Sequence, residues 1–165
     1  MNNMLLAVGT AMGNKIFDFI VIPFHQMRYS ARRLSDFKLF CDVQIDSAIR
    51  DFDEAIRLDS TNALAIFNRA LAWIQLENEP AAIQDLSAVI RLSPYNSYAW
   101  YNRAILLIGI KDYYGAIRDF EMVSRLDPRN IISHFYRSKL KTEVKDYKGA
   151  LADLDRTIEL LPEYT

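Results

Sequence analysis

Along most of the chain, apolar residues recur at steps of three and four, the spacing that lines one face of an α-helix. Ala99, Trp100, Ala104 and Leu107, with Arg103 among them, form one such series, and Ala116, Ile117, Phe120, Val123 and Leu126 form another. Lys111-Asp112 stands between the two, and Pro128 follows the second, which it cannot continue. The pattern predicts a helix, a short turn and a second helix. Pro94 and Pro162 close two further segments in the same way, and Pro80 stands at the start of a second helix, where its missing N–H costs nothing.

The helix pair repeats. Phe67-Asn68-Arg69-Ala70 returns as Tyr101-Asn102-Arg103-Ala104 at an offset of 34, and Asp112-Tyr113-Tyr114-Gly115-Ala116 returns as Asp146-Tyr147-Lys148-Gly149-Ala150 at the same offset. Ala48-Ile49-Arg50-Asp51-Phe52 returns as Ala116-Ile117-Arg118-Asp119-Phe120 at 68, twice that period. Arg57-Leu58, Arg91-Leu92 and Arg125-Leu126 keep the register. Such self-similarity marks a stacked repeat array, in which one helix pair cannot enclose its own apolar face and its neighbours must. Ala48, Ala82, Ala116 and Ala150 share one position, where a small side chain lets helices approach closely. Phe52, Leu86, Phe120 and Leu154 follow four residues later and are expected to fill the adjoining space.

These residues resemble the tetratricopeptide repeat, a helix-turn-helix unit of 34 residues. The copy at 97–130 matches through Trp100, Leu107, Ala116, Phe120 and Pro128, with Arg103 and Ala104 where the family usually has Leu and Gly. The copy at 63–96 matches through Trp73, Ala82, Leu86 and Pro94, and that at 131–165 through Ala150, Leu154 and Pro162. The first copy, 29–62, keeps Ala48, Phe52, Ala55 and Leu58 but has a divergent first helix and Ser60 in place of the proline. The resemblance implies an all-α solenoid of four repeats, each a helix pair, preceded by an apolar extension at 1–28.

Charge recurs in the same register. Asp51, Asp85, Asp119 and Asp153 share one position, and Arg69, Arg103 and Arg137 another. In an antiparallel pair the arginine, near the middle of the first helix, should reach the aspartate near the middle of the second. A structural Arg–Asp ladder is expected; the bland alternative is that both charges are solvated.

By resemblance, the first helices of successive repeats line a concave groove. The second position of each copy carries Leu64, Tyr98 and Ile132; the fifth, Phe67, Tyr101 and Phe135; the sixth, Asn68, Asn102 and Tyr136. The ninth carries Leu71, Ile105 and Lys139, and the twelfth Ile74, Ile108 and Thr142. Apolar side chains on a face that packing within the repeat leaves open mark a contact surface. The expected ligand is a peptide or helix of another protein, with Phe67, Tyr101 and Phe135 as anchors and Asn68 and Asn102 as hydrogen-bonding groups. The alternative is that these side chains fill the groove among themselves. Some family members grip acidic C-terminal chaperone tails through groove lysines. Here Leu64, Tyr98, Ile132, Phe67, Tyr101 and Phe135 occupy those places, and such tails are not expected to bind.

Composition excludes several functions. With 51% hydrophobic and 25% charged residues in 165, the chain is a globular domain that needs no metal or disulfide. Twenty basic residues against twenty-one acidic give a charge of −1 and no electrostatic footprint for nucleic acid. Cys41, the single cysteine, has no disulfide partner and is expected to pack as a small core residue. His25 and His134 are too few and too isolated for a zinc site or triad, and His134 takes the repeat position of Trp100. Gly9, Gly13, Gly109, Gly115 and Gly149 form no phosphate loop. No catalytic residue, metal site or cofactor is expected.

The ends depart from the repeat. Met4 to Met12 and Ile16 to Phe24 are mostly apolar, but Asn14, Lys15 and Asp18 interrupt them, and no basic residue precedes the apolar run. A cap over the first copy and a cytoplasmic protein are expected, with membrane association or export through 1–28 as the alternative. At the other end, Leu160-Leu161-Pro162 is not followed by a polar capping helix. Either another subunit covers the last helix, giving a homo-oligomer, or the array is longer.

Overall fold

The computed structural model describes residues 31–161, with side chains from residue 43 onward. Seven α-helices and no strand occur among the described residues: α1 (Ala31–Leu58), α2 (Ala63–Gln75), α3 (Glu79–Leu92), α4 (Ser97–Gly109), α5 (Tyr113–Leu126), α6 (Ile131–Glu143) and α7 (Tyr147–Glu159). Each helix packs on its neighbours in sequence, most closely within the pairs α2/α3, α4/α5 and α6/α7. This is a helix-turn-helix solenoid. The apolar extension 1–28, with His25, and the closing Pro162 lie outside the described residues, as does the side chain of Cys41.

Polar residues at fixed offsets cut the chain into these helices. Asn62, Asn96 and Asn130 cap the first helix of each pair by accepting from the backbone N–H three residues on, at 3.0, 3.2 and 2.9 Å. Asn78, Asp112 and Asp146 do the same for the second helices. Between the helices of a pair the chain turns through one left-handed residue, Glu77, Lys111 or Lys145, at φ 57, 63 and 64°. The next residue's N–H returns to the third-last helical carbonyl, as from Asp112 N to Leu107 O at 2.8 Å, which closes a Schellman turn. Between pairs, Pro94 and Pro128 occupy the second place of β-turns closed by Asn96 N to Ser93 O and Asn130 N to Asp127 O.

The first copy departs from the expected pair. Residues 31–58 form one uninterrupted helix. The positions corresponding to the left-handed residue and the cap hold Val43 and Gln44. A β-branched side chain is strongly disfavoured at positive φ, and Gln is a poor cap, so the helix continues where its counterparts turn.

The core follows the register. Ala82, Ala116 and Ala150 are buried between helices, with Leu86, Val89, Phe120 and Val123 beside them. Around these pack Trp73 and Trp100 in one cluster and Tyr101 and Tyr136 in the next. Leu154, expected to fill the space that Phe120 fills, is 39% exposed because no described helix lies beyond α7.

Candidate functional site

The register places Arg69, Arg103 and Arg137 at the middle of α2, α4 and α6, facing the second helices. Each guanidinium grips one aspartate with two parallel bonds. Arg69 holds Asp85 at 2.8 and 2.7 Å, and Arg103 holds Asp119 at 2.7 Å through both Nε and Nη2. Arg137 holds Asp153, through Nε at 2.8 Å and also through Nη2. The three carboxylates are buried, so these are not solvated surface charges. The ladder also ties pairs together: Arg69 Nη1 donates to Asp53 Oδ1 on α1 at 2.6 Å, and Arg103 Nη1 to Ser87 Oγ on α3 at 3.0 Å. Burial alone would raise the Asp153 carboxyl, but Arg137 and Lys141, the latter at 2.8 Å, outweigh it and hold the group below its ordinary value. Arg69 is held firmly protonated, first by Asp85 and then by Asp53 against the cost of burial. Asp51 breaks the series. It is exposed: α1 runs straight on, and no helix of the described residues returns over it.

His134 is buried as its repeat position requires. Its Nδ1 lies 3.5 Å from Asp153 Oδ1, but neither ring nitrogen makes a hydrogen bond. No group of three His, Cys, Asp or Glu among the described residues could hold a metal ion. No described helix is long and apolar enough to cross a membrane.

The groove positions separate into two sets. Leu64, Tyr98 and Ile132 are 69%, 72% and 52% exposed and repeat across α2, α4 and α6. Phe135 and Lys139 on α6 are also exposed. Phe67, Asn68, Leu71, Tyr101, Asn102 and Ile105, expected to stand free, are half-buried. Neighbouring helices account for the difference. Phe67 packs on the first core cluster, and the Tyr101 ring sits edge-on to Phe120 at 5.9 Å. Tyr136 stacks on Phe120 at 5.3 Å, and burial together with the nearby Tyr136 raises the Tyr101 phenol. Asn102 spends one amide hydrogen on the Tyr98 carbonyl at 2.8 Å. Phe135 remains open because no further first helix lies beside α6 among the described residues. The row that is both apolar and free is therefore Leu64, Tyr98, Ile132 and Phe135.

Sequence reasoning missed the six caps. Their signal was present as Asn62, Asn96 and Asn130 at one offset and Asn78, Asp112 and Asp146 at another.

No protein-family model and no curated protein sequence matches the chain. Solved structures do. A crystal structure of MamA is 17% identical with a TM-score of 0.67, covering 76% of this chain and 73% of its own. A MamA structure from Desulfovibrio magneticus RS-1 is 20% identical with a TM-score of 0.64, covering 80% and 70%. The first tetratricopeptide domain of Spaghetti (RPAP3), bound to the HSP90 peptide SRMEEVD, is 22% identical with a TM-score of 0.56, covering 63% and 82%. The likeness is one of fold, and the fold is the tetratricopeptide solenoid that the repeats predict.

Proposed function

We infer that this chain of tetratricopeptide fold is a protein-interaction scaffold that receives a peptide or helix of another protein on the open side of its first helices. The observation that carries this reading is the exposed row of Leu64 on α2, Tyr98 on α4 and Ile132 and Phe135 on α6, the first helices of the three pairs. Large apolar side chains kept in water at repeat spacing cost solubility and are retained where a partner covers them. The half-buried shelf behind them, with Phe67 and Tyr101, gives the row a rigid backing and lowers the ordering cost of binding.

The structural neighbour from RPAP3 holds a peptide that ends in Glu-Glu-Val-Asp. Here the second and fifth groove positions are all apolar, and Lys139 is the one cation among the candidate groove residues. A terminal carboxylate at the second and fifth positions would lose its water with no cation there to receive it. A peptide ending in Glu-Glu-Val-Asp is expected not to bind at micromolar concentration. The reading is tested by photocrosslinking from an amino acid placed at Tyr98 or, as control, at exposed Arg118 on α5. A partner adduct at position 98 alone is expected; adducts at 118 alone would overturn the reading.

A second reading rests on α7. Tyr147, Leu151, Leu154 and Ile158 form an exposed stripe along it, at 65%, 61%, 39% and 56% exposure. Such a stripe suits self-association, and Leu151→Lys/Ile158→Lys would then convert an oligomer to monomer in sedimentation. An unchanged profile would remove that reading.

A further inference from the structure

Among the described residues, the straight course of α1 leaves a helix seat uncovered beside α1 and α2. In α3, Asp85, Leu86 and Val89 are buried at 5%, 0% and 0% exposure, and α2 packs against this helix with Arg69 on Asp85. The corresponding residues of α1 are Asp51, Phe52 and Ala55. There Asp51 is exposed and Phe52 and Ala55 are half-buried, and together with Leu64, Ala65 and Asn68 of α2 they line an open cleft of about 350 Å³. Among the described residues no guanidinium reaches Asp51, although each of its three counterparts is gripped by one.

The chain itself displays what fills this kind of seat. α2, α4 and α6 bring Phe67-Asn68-Arg69-Ala70, Tyr101-Asn102-Arg103-Ala104 and Phe135-Tyr136-Arg137-Ser138 to the same place. The motif is an aromatic residue, any residue, an arginine and a small residue. The small side chain is buried in every case, at 0%, 0% and 3% exposure. It lets the helices close up while the arginine neutralises the aspartate. Residues 1–42 contain no such sequence: their arginines, Arg28, Arg32 and Arg33, are preceded two places earlier by Gln26, Ser30 and Ala31.

We propose that the cleft between α1 and α2 is a second binding site, and that it accepts a helix of a partner protein bearing the aromatic, any, arginine, small motif. The docked helix takes the place of the missing first helix. Its arginine forms the bidentate pair with Asp51, and its small residue packs over Ala48. The site shares Leu64 with the exposed row but is defined by Asp51, and it stands whether or not Tyr98 and Ile132 bind a peptide.

The test uses the full chain and a fluorescent peptide of residues 130–144, which carries the motif in its most polar form, read by polarisation. Binding is expected, weakened about 30-fold or more by Asp51→Lys in the protein or by Arg137→Glu in the peptide, and recovered when the two changes are combined. Asp51 is exposed, so the variant is expected to keep its fold, which circular dichroism checks. Absence of binding to the full chain overturns the proposal, as does binding that neither charge change affects. Binding lost through Leu151→Lys/Ile158→Lys but not Asp51→Lys places the peptide on α7 and also overturns it. A dimer that the peptide splits into monomers assigns the seat to a second copy rather than to a separate partner, and it overturns the proposal too.

Discussion

Replacing Arg103 and Asp119 singly and together measures whether the ladder holds the solenoid or merely decorates it. The pair lies in the middle of the array, with both bonds at 2.7 Å and side chains 20% and 4% exposed. Arg103→Leu strands a buried carboxylate and is expected to cost about 3–5 kcal/mol. Asp119→Leu leaves a guanidinium that still reaches Ser87 Oγ at 3.0 Å and lies 5.1 Å from the Trp100 ring centre, so its cost is smaller, about 2 kcal/mol. The double variant substitutes apolar contact for the pair and is expected to cost no more than either single change. The sum of the single costs then exceeds the double by at least about 3–5 kcal/mol. Loss of the Ser87 and Trp100 contacts enters both arginine variants and cancels in the cycle. Urea unfolding provides the free energies, with the slope compared across variants so that a change in cooperativity of the array is not mistaken for stability. The exposed pair Arg125–Glu121, at 66% and 45% exposure, serves as control and should couple by less than about 0.5 kcal/mol. Equal coupling in the two pairs would refute the ladder as a source of stability.

Three further outcomes follow from the same geometry. Phe120→Ala, which empties a site at 0% exposure, is expected to cost about 3–5 kcal/mol in chemical unfolding, while Leu154→Ala at the same repeat position, 39% exposed, costs less than about 1.5 kcal/mol; equal losses would mean that α7 is covered. Lys111→Gly relieves a left-handed residue at φ 63° and should raise stability by about 0.5–1 kcal/mol, and a drop in melting temperature would contradict the assigned turn. Because Asp153 is held below its ordinary value of 3.8, the unfolded chain binds more protons as acid is added, so its contribution is present above 3.8 and lost as pH falls through the lower folded value. Asp153→Asn should flatten that acid branch of the urea midpoint, and an unchanged slope would show that other groups set it.

Much of this architecture is legible in the residues because the repeat prints the same contacts several times. An alanine at one offset and an arginine and aspartate at two others are enough to place the helix pairs and their ladder. The straight first helix was harder to foresee because it follows from a missing signal. Val43-Gln44 has neither the tolerance of positive φ nor the cap of Lys111-Asp112, and it becomes informative only when the two are set side by side. Exposure within the candidate site was least legible. Phe67, Tyr101 and Phe135 share a repeat position, yet the first two are shelved against neighbouring helices while the third is open. Burial there depends on what stands alongside in space, which a position within the repeat does not specify.

The central claim is that the row Leu64, Tyr98, Ile132 and Phe135 is the surface that meets a partner. It is tested most directly by partner capture with wild type, with a Tyr98→Ala/Ile132→Ala/Phe135→Ala variant and with a control altered at exposed Arg118 and Tyr114 on α5, each shown to be folded. The account predicts a partner retained by wild type and control and lost by the first variant. Retention by that variant, with loss in the control, would place the contact on the second helices and contradict it.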